Sequence, residues 1–118
     1  METCYMKRIS VEMVREAYAK TGLRPGHGSF FPGDKCACAL GALYYEKYRM
    51  SPNDPQTVRE FLDARYPPWY VTGFARGFDG MARILPAFCR DEAKHEEIRR
   101  GYADGQACAV AVFTQEQS

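Results

Sequence analysis

Residues 35–48, KCACALGALYYEKY, are the stretch of sequence that most constrains the fold. On a helix their side chains would be apolar on nearly all sides, and a helix of that kind is buried. Asp34 precedes the stretch and is a candidate N-cap. Gly41 and the alanines around it favour the close approach of another helix. The sequence therefore predicts a central, buried helix over residues 35–48.

Helices are also predicted on both sides of this segment. Apolar residues recur at helical spacing over residues 11–18, between a candidate N-cap at Ser10 and a stop signal at Gly22. After a turn at residues 51–55, further helical patterns are separated by prolines and glycines. They predict helices over residues 58–66, 69–78, 81–88 and 92–102. Their boundaries are assigned to a cap at Ser51 or Asp54, to Pro67-Pro68, to Asp79-Gly80 and to Asp91.

Residues 106–113 are ambiguous, because Val110, Val112 and Phe113 favour strands. No partner strand is evident elsewhere, so a helix is preferred. A chain of 118 residues makes one domain. The sequence thus predicts an all-α fold, a compact bundle of five or six helices forming a single domain over residues 1–118.

One long loop interrupts the helical pattern at residues 22–34, GLRPGHGSFFPGD. Its four Gly and two Pro exclude a continuous helix. Connections in compact domains typically have about 4–6 residues, and longer ones are often functional. Phe30 and Phe31 are expected to fold back onto the core and hold the loop in place.

Charge and cysteine usage restrict the class of protein. Sixteen Lys and Arg against fifteen Asp and Glu leave a net charge of +1, so the basic excess typical of nucleic-acid binding is missing. The N-terminus lacks the apolar core of a secretory signal, and no stretch approaches the roughly 20 apolar residues of a membrane span. The five cysteines include no CxxC pair. These features predict a cytoplasmic protein with free thiols, no membrane partner and no nucleic acid.

Metal and phosphate sites are also disfavoured by the spacing of candidate ligands. Cys36 and Cys38 would lie about 200° apart around a helix axis, and the paired short spacings typical of zinc sites are missing. Residues 28–35 match the start of a phosphate-binding loop, but Asp34 stands where the lysine should follow the second glycine. No metal and no cofactor are predicted.

Cys36 is the candidate nucleophile. With Asp34 as N-cap it would occupy the second helical position, where unpaired amides and the helix dipole stabilise a thiolate. His27 in the preceding loop is a candidate base. A thiol-dependent enzyme or redox sensor is therefore an alternative function. The favoured interpretation of Cys36 is a small apolar residue packed in the core.

Aromatic residues make up 14% of the chain, and several are adjacent in sequence. Neighbours on a helix point about 100° apart, so a small bundle has difficulty burying both. Tyrosine and tryptophan are enriched at interfaces. The leading hypothesis is an interaction module that contacts a protein partner or forms a homodimer. Its predicted surface comprises Phe30, Phe31, Trp69, Tyr70 and Phe74.

A second alternative is a small-molecule pocket beneath residues 24–35. Phe30 and Phe31 would line it together with nearby tyrosines.

Overall fold

The computed structural model describes residues 7–31, 33–50, 52, 54–81 and 92–117. Residues 115–117 are described without their side chains. The described chain is mostly helical, as the sequence predicts. A short parallel strand pair, Arg24 with Cys36 and Pro25 with Ala37, joins the start of the long loop to the residues that follow it. The elements in chain order are α1 (Val11–Thr21), β1 (Arg24–Pro25), β2 (Cys36–Ala37), α2 (Ala39–Tyr48), α3 (Pro55–Asp63), α4 (Pro68–Phe78) and α5 (Glu92–Gln117).

Local capping signals place three of the helix boundaries. The Ser10 side chain accepts a hydrogen bond from the Met13 amide at 3.1 Å, and Gly22 ends α1 in the left-handed conformation with φ 74°. Asp54 caps α3 by accepting from the Thr57 amide at 3.1 Å. These boundaries confirm the predictions, because a cap depends on residues only three or four positions apart.

The predicted start of the central helix is wrong by four residues. Helix α2 begins at Ala39 with Cys38 as its N-cap, and Asp34 does not cap it. Lys35 adopts a left-handed φ of 57°. Its carbonyl oxygen accepts from the Arg24 amide at 2.9 Å, and the Ala37 carbonyl accepts from the Gly26 amide at 3.1 Å. The strand pair thus uses the backbone groups that a longer helix would need.

Gly41 is approached closely, but by the loop and not by another helix. A Cβ added at Gly41 would lie 2.2 Å from the carbonyl oxygen of Phe30. That oxygen also accepts a hydrogen bond from the Cys38 amide at 3.0 Å. The prediction of a close contact at Gly41 holds, with backbone of the 22–34 loop in place of a helix.

Helix α5 is one continuous helix of 26 residues. It joins the predicted charged helix to residues 106–113, where helix was preferred over strand. Cys108 and Val112 are buried in the core, so tertiary packing decides the structure of this ambiguous stretch. The helix predicted at residues 81–88 and the cap predicted at Asp91 lie outside the described residues.

Glycines allow α4 and α5 to touch backbone to backbone. A Cβ added at Gly73 would lie 2.3 Å from a carbonyl oxygen of α5, and one at Gly77 would lie 2.2 Å from the next such oxygen. A Cβ added at Gly101 or Gly105 of α5 would lie 2.1 or 2.2 Å, respectively, from a carbonyl oxygen of α4. Gly73 meets the oxygen of Ile98, and Gly77, one turn later in α4, meets that of Tyr102, one turn later in α5. In the same way, Gly101 meets the oxygen of Tyr70 and Gly105 meets that of Phe74. The two helices therefore run parallel, with the GxxxG spacing that lets helix backbones approach closely.

A polar network ties the N-terminal segment to this helix pair. The Tyr70 hydroxyl donates to Asp104 and accepts from the Ile9 amide at 2.7 Å. Arg8 donates two hydrogen bonds to the same carboxylate, at 3.0 and 2.8 Å. Burial and the bond to Asp104 raise the pKa of Tyr70. The Tyr70 hydroxyl of α4 therefore satisfies one polar group of the N-terminal segment and one of α5.

We predict that Gly73→Ala and Gly101→Ala each lower the free energy of unfolding by about 3 kcal/mol, because a methyl group would push the two backbones apart. Urea denaturation followed by circular dichroism measures the change. Gly33→Ala is the matched control, since its Cβ would lie 3.7 Å from the Cys36 Cβ, an ordinary contact. Equal effects at all three glycines would contradict the close packing of α4 on α5.

We predict that Tyr70→Phe lowers the free energy of unfolding by about 1–3 kcal/mol, because the Ile9 amide loses its partner inside the fold. Tyr45→Phe is the control, since the Tyr45 hydroxyl makes no hydrogen bond within the described residues. The same denaturation experiment tests both variants. A loss for Tyr45→Phe as large as that for Tyr70→Phe would show that the network adds nothing.

Candidate functional site

A cavity of about 490 Å³ lies beneath residues 28–31 of the long loop. The loop covers one side, and α2, α3 and α4 provide the others. The cavity also reaches Pro52, which precedes α3. Its walls are mainly apolar, and the side chains that form them are Phe30, Phe31, Leu40, Val58, Ala75 and Phe78.

The loop over the cavity is held at both ends by hydrogen bonds. At one end the Phe30 carbonyl accepts from the Cys38 amide at 3.0 Å. At the other end the Gly28 amide donates to Asp79 Oδ1 at 3.3 Å. Phe30 and Phe31 are half-buried and pack against the core, as the sequence predicts. These contacts therefore fix residues 28–31 relative to α2 and α4.

His27 lies beside the cavity and belongs to the same anchoring. Its ring stacks on Phe113 of α5, with centroids 4.1 Å apart, and on Phe78 of α4 at 5.7 Å. Its Nδ1 lies 3.8 Å from Asp79 Oδ1. Within the described residues, no hydrogen bond joins His27 to a cysteine. The contacts thus connect His27 to the ends of two helices and not to the thiol predicted as its partner.

Cys36 does not occupy a helix N-terminus. It lies in β2, half-buried, and its Sγ is 3.6 Å from the Pro25 carbonyl oxygen. The premise of the thiol hypothesis is corrected here, because the strand pair moves the helix start to Cys38 and Ala39. The helix dipole and the free amides of α2 therefore do not act on Cys36 as predicted.

Cys38 is the cysteine at the start of α2, and it also lines the cavity. Its side chain is 7% exposed. Burial raises the pKa of the Cys38 thiol to about 12, although the amides of Gly41 and Leu40 act in the opposite direction. Burial also raises the pKa of Cys108 to about 12. Both groups are neutral thiols at pH 7, so neither is an activated nucleophile.

The predicted aromatic surface is only partly present. Tyr70 and Phe74 are 0% exposed and belong to the core, so their inclusion in the surface is corrected. The Tyr70 hydroxyl reaches Asp104 of α5, and the Phe74 ring lies next to those of Tyr70 and Phe78, with centroids 6.4 and 6.3 Å away. Trp69, Phe30 and Phe31 are half-buried. Adjacent aromatic residues therefore divide between the core and the surface, as their 100° separation on a helix requires.

Two carboxylates at the cavity were missed as site residues. Asp54 and Asp79 both line it, while the sequence marks each of them only as a helix boundary. Asp54 has that local role, since it caps α3. Asp79 is the C-cap of α4, and its amide donates to the Ala75 carbonyl. No local signal identifies them as neighbours of one cavity, because loop and helix packing bring them together.

A second, more open groove of about 460 Å³ lies between α1, β1 and α5. Its lining includes Arg15 and Arg24 together with the apolar side chains of Leu23, Pro25 and Val112. The groove therefore carries positively charged side chains, whereas the cavity beneath residues 28–31 carries the carboxylates of Asp54 and Asp79.

Other kinds of site are not found in the described part of the chain. No group of three His, Cys, Asp or Glu side chains there has a geometry that would hold a metal ion. No helix there is long and apolar enough to cross a membrane. In comparisons with protein-family models, curated proteins and solved structures, nothing matches this chain. The site is therefore interpreted from its own geometry.

The raised pKa values of the Cys38 and Cys108 thiols predict that the protein loses stability in alkaline solution. Their pKa rises from about 9 to about 12 on folding, so the stabilisation they provide is complete below pH 9. Above that pH the two thiols ionise in the unfolded chain before they ionise in the folded protein. Ionisation therefore favours the unfolded chain, and each thiol lowers the free energy of unfolding by about 1.4 kcal/mol per pH unit. Between pH 9 and 10 the thiols dominate, because the ordinary pKa of tyrosine is 10.0.

Urea denaturation under reducing conditions at several pH values in this range measures the slope. The Cys108→Ala variant is less stable overall, because it leaves a small cavity. Its slope against pH is expected to fall by the contribution of one thiol. A slope equal to that of the unmodified protein would contradict the burial of Cys108.

Proposed function

We propose that this protein binds a small, mainly apolar molecule in the cavity beneath residues 28–31. The observation that carries the proposal is the cavity itself. Its volume of about 490 Å³ falls within the range of about 300–1,000 Å³ typical of ligand pockets. Three phenylalanines and three aliphatic side chains form most of its walls, and a few polar groups at the edge are available to orient a ligand.

The fixed position of the loop supports this proposal. Binding is costly when a loop must first be ordered. Here the Cys38 amide, the backbone contact at Gly41 and the carboxylate of Asp79 hold residues 28–31 in place. The interaction energy of a ligand is therefore spent on binding and not on closing the loop.

The two other hypotheses have less support. An interaction surface that includes Tyr70 and Phe74 would need core residues to be exposed. A thiol mechanism at Cys36 loses its helix N-terminus, and the high pKa of Cys38 keeps that thiol neutral. Phe30 and Phe31 are the residues that the interaction hypothesis and the pocket hypothesis share, and in the fold both line the cavity.

Titration with prodan, a neutral dye whose fluorescence increases in apolar surroundings, tests the proposal. We expect saturable binding with a blue-shifted emission. The Ala75→Leu variant should weaken it by at least about tenfold, because the larger side chain fills part of the cavity. Ala75 is half-buried and borders the cavity from α4.

Ala103→Leu is the matched control, since it makes the same change at an exposed position of α5. Circular dichroism and urea denaturation establish that both variants fold. The proposal fails if prodan does not bind, or if the folded Ala75→Leu variant binds it as tightly as the control does.

A further inference from the structure

The charged side chains at the cavity are all of one sign. Asp54 and Asp79 are acidic, and no Lys or Arg side chain belongs to its described lining. The chain as a whole is almost neutral, with a net charge of +1. The acidic character is therefore local to the cavity, and the second groove with its two arginines shows the opposite character.

The carboxylate of Asp79 lies at the C-terminus of α4, a position where the helix disfavours negative charge. Asp79 is the C-cap of α4, and the unpaired carbonyl groups of a helix C-terminus attract cations and repel anions. Its side chain is only 20% exposed, so water screens it incompletely. Its Oδ1 lies 3.8 Å from Nδ1 of His27, which carries a charge only when protonated. A cation in the cavity would therefore offset the repulsion between the Asp79 carboxylate and the helix C-terminus.

The aromatic walls add a second attraction for the same chemical group. Phe30, Phe31 and Phe78 line the cavity together with the carboxylates. The face of an aromatic ring attracts a cation, and desolvation strengthens this attraction. Proteins recognise alkylammonium groups with such rings. A carboxylate beside phenylalanine rings thus suits an ammonium group attached to an apolar body.

We propose that the ligand of this cavity is an organic amine, with its ammonium group at Asp79 and its apolar body against Leu40, Val58 and Ala75. Asp54, at the α3 side of the cavity, adds to the negative potential. This inference rests on the proposed function, since it names the chemical class of the molecule bound in the same cavity.

Three probes of matched size test the charge preference: phenylbutylamine, phenylbutanol and phenylbutyrate. Each is used to displace prodan from the 118-residue chain, and the inhibition constants are compared. We expect the amine to bind about tenfold more tightly than the alcohol, and the carboxylate to bind more weakly than the alcohol because it meets like charge.

The Asp79→Asn variant identifies the group responsible. Asparagine retains an oxygen that can accept from the Gly28 amide, so the loop keeps its anchor while the negative charge is lost. We expect the ratio of amine to alcohol affinity to fall by several-fold but to stay above one, because Asp54 and the phenylalanine rings still attract the ammonium group. Asp34→Asn is the matched control, because it removes the same charge at an exposed position outside the described lining of the cavity, and its ratio should stay at the unmodified value.

The outcomes separate this inference from the proposed function. If the alcohol displaces prodan and the amine is no tighter, the cavity binds apolar molecules and the amine inference is overturned. An amine preference as large in Asp79→Asn as in the unmodified protein overturns the role of Asp79. If none of the probes binds and prodan also fails to bind, the proposed function itself is wrong.

Discussion

The contact between the backbones of α4 and α5 is the constraint on which the rest of the structure depends. At Gly73, Gly77, Gly101 and Gly105 the space for a Cβ is occupied by a carbonyl oxygen of the other helix. Such proximity permits Cα–H···O contacts and extensive dispersion attraction along both helices. It also fixes the register of the pair, because a shift of one residue would place a side chain where only glycine fits.

The position of the cavity depends on that register, because the register determines which face of α4 lies away from α5. Ala75 lies about 200° around the helix axis from both Gly73 and Gly77, so the face of α4 opposite α5 forms part of the cavity wall. Asp79 at the end of α4 anchors the Gly28 amide, and Phe113 of α5 stacks on His27. The loop is therefore positioned by both members of the helix pair, and its polar anchor is the carboxylate to which we assign an ammonium ligand.

Sequence reasoning reached part of this site. Two adjacent phenylalanines in a long Gly- and Pro-rich loop predicted a segment folded back on the core, and a pocket beneath it was one of the alternatives. The carboxylates were not predicted as site residues. Asp54 and Asp79 each look like an ordinary helix boundary, and nothing local distinguishes such a residue from one that also borders a cavity. The prediction of Cys36 as a nucleophile is wrong in its premise, because α2 begins at Ala39 with Cys38 as its N-cap.

The sequence by itself determined the mostly helical fold class, both caps of α1 and the cap at the start of α3. These features depend on helical spacing and on hydrogen bonds between residues three or four positions apart. Only the tertiary structure decided where α2 begins, that residues 92–117 form one helix, and that Tyr70 and Phe74 are buried. Each of these depends on partners distant in sequence: the carbonyls of Lys35 and Ala37 bond to β1 and the residue after it, and the aromatic side of α4 packs where glycines let α5 approach.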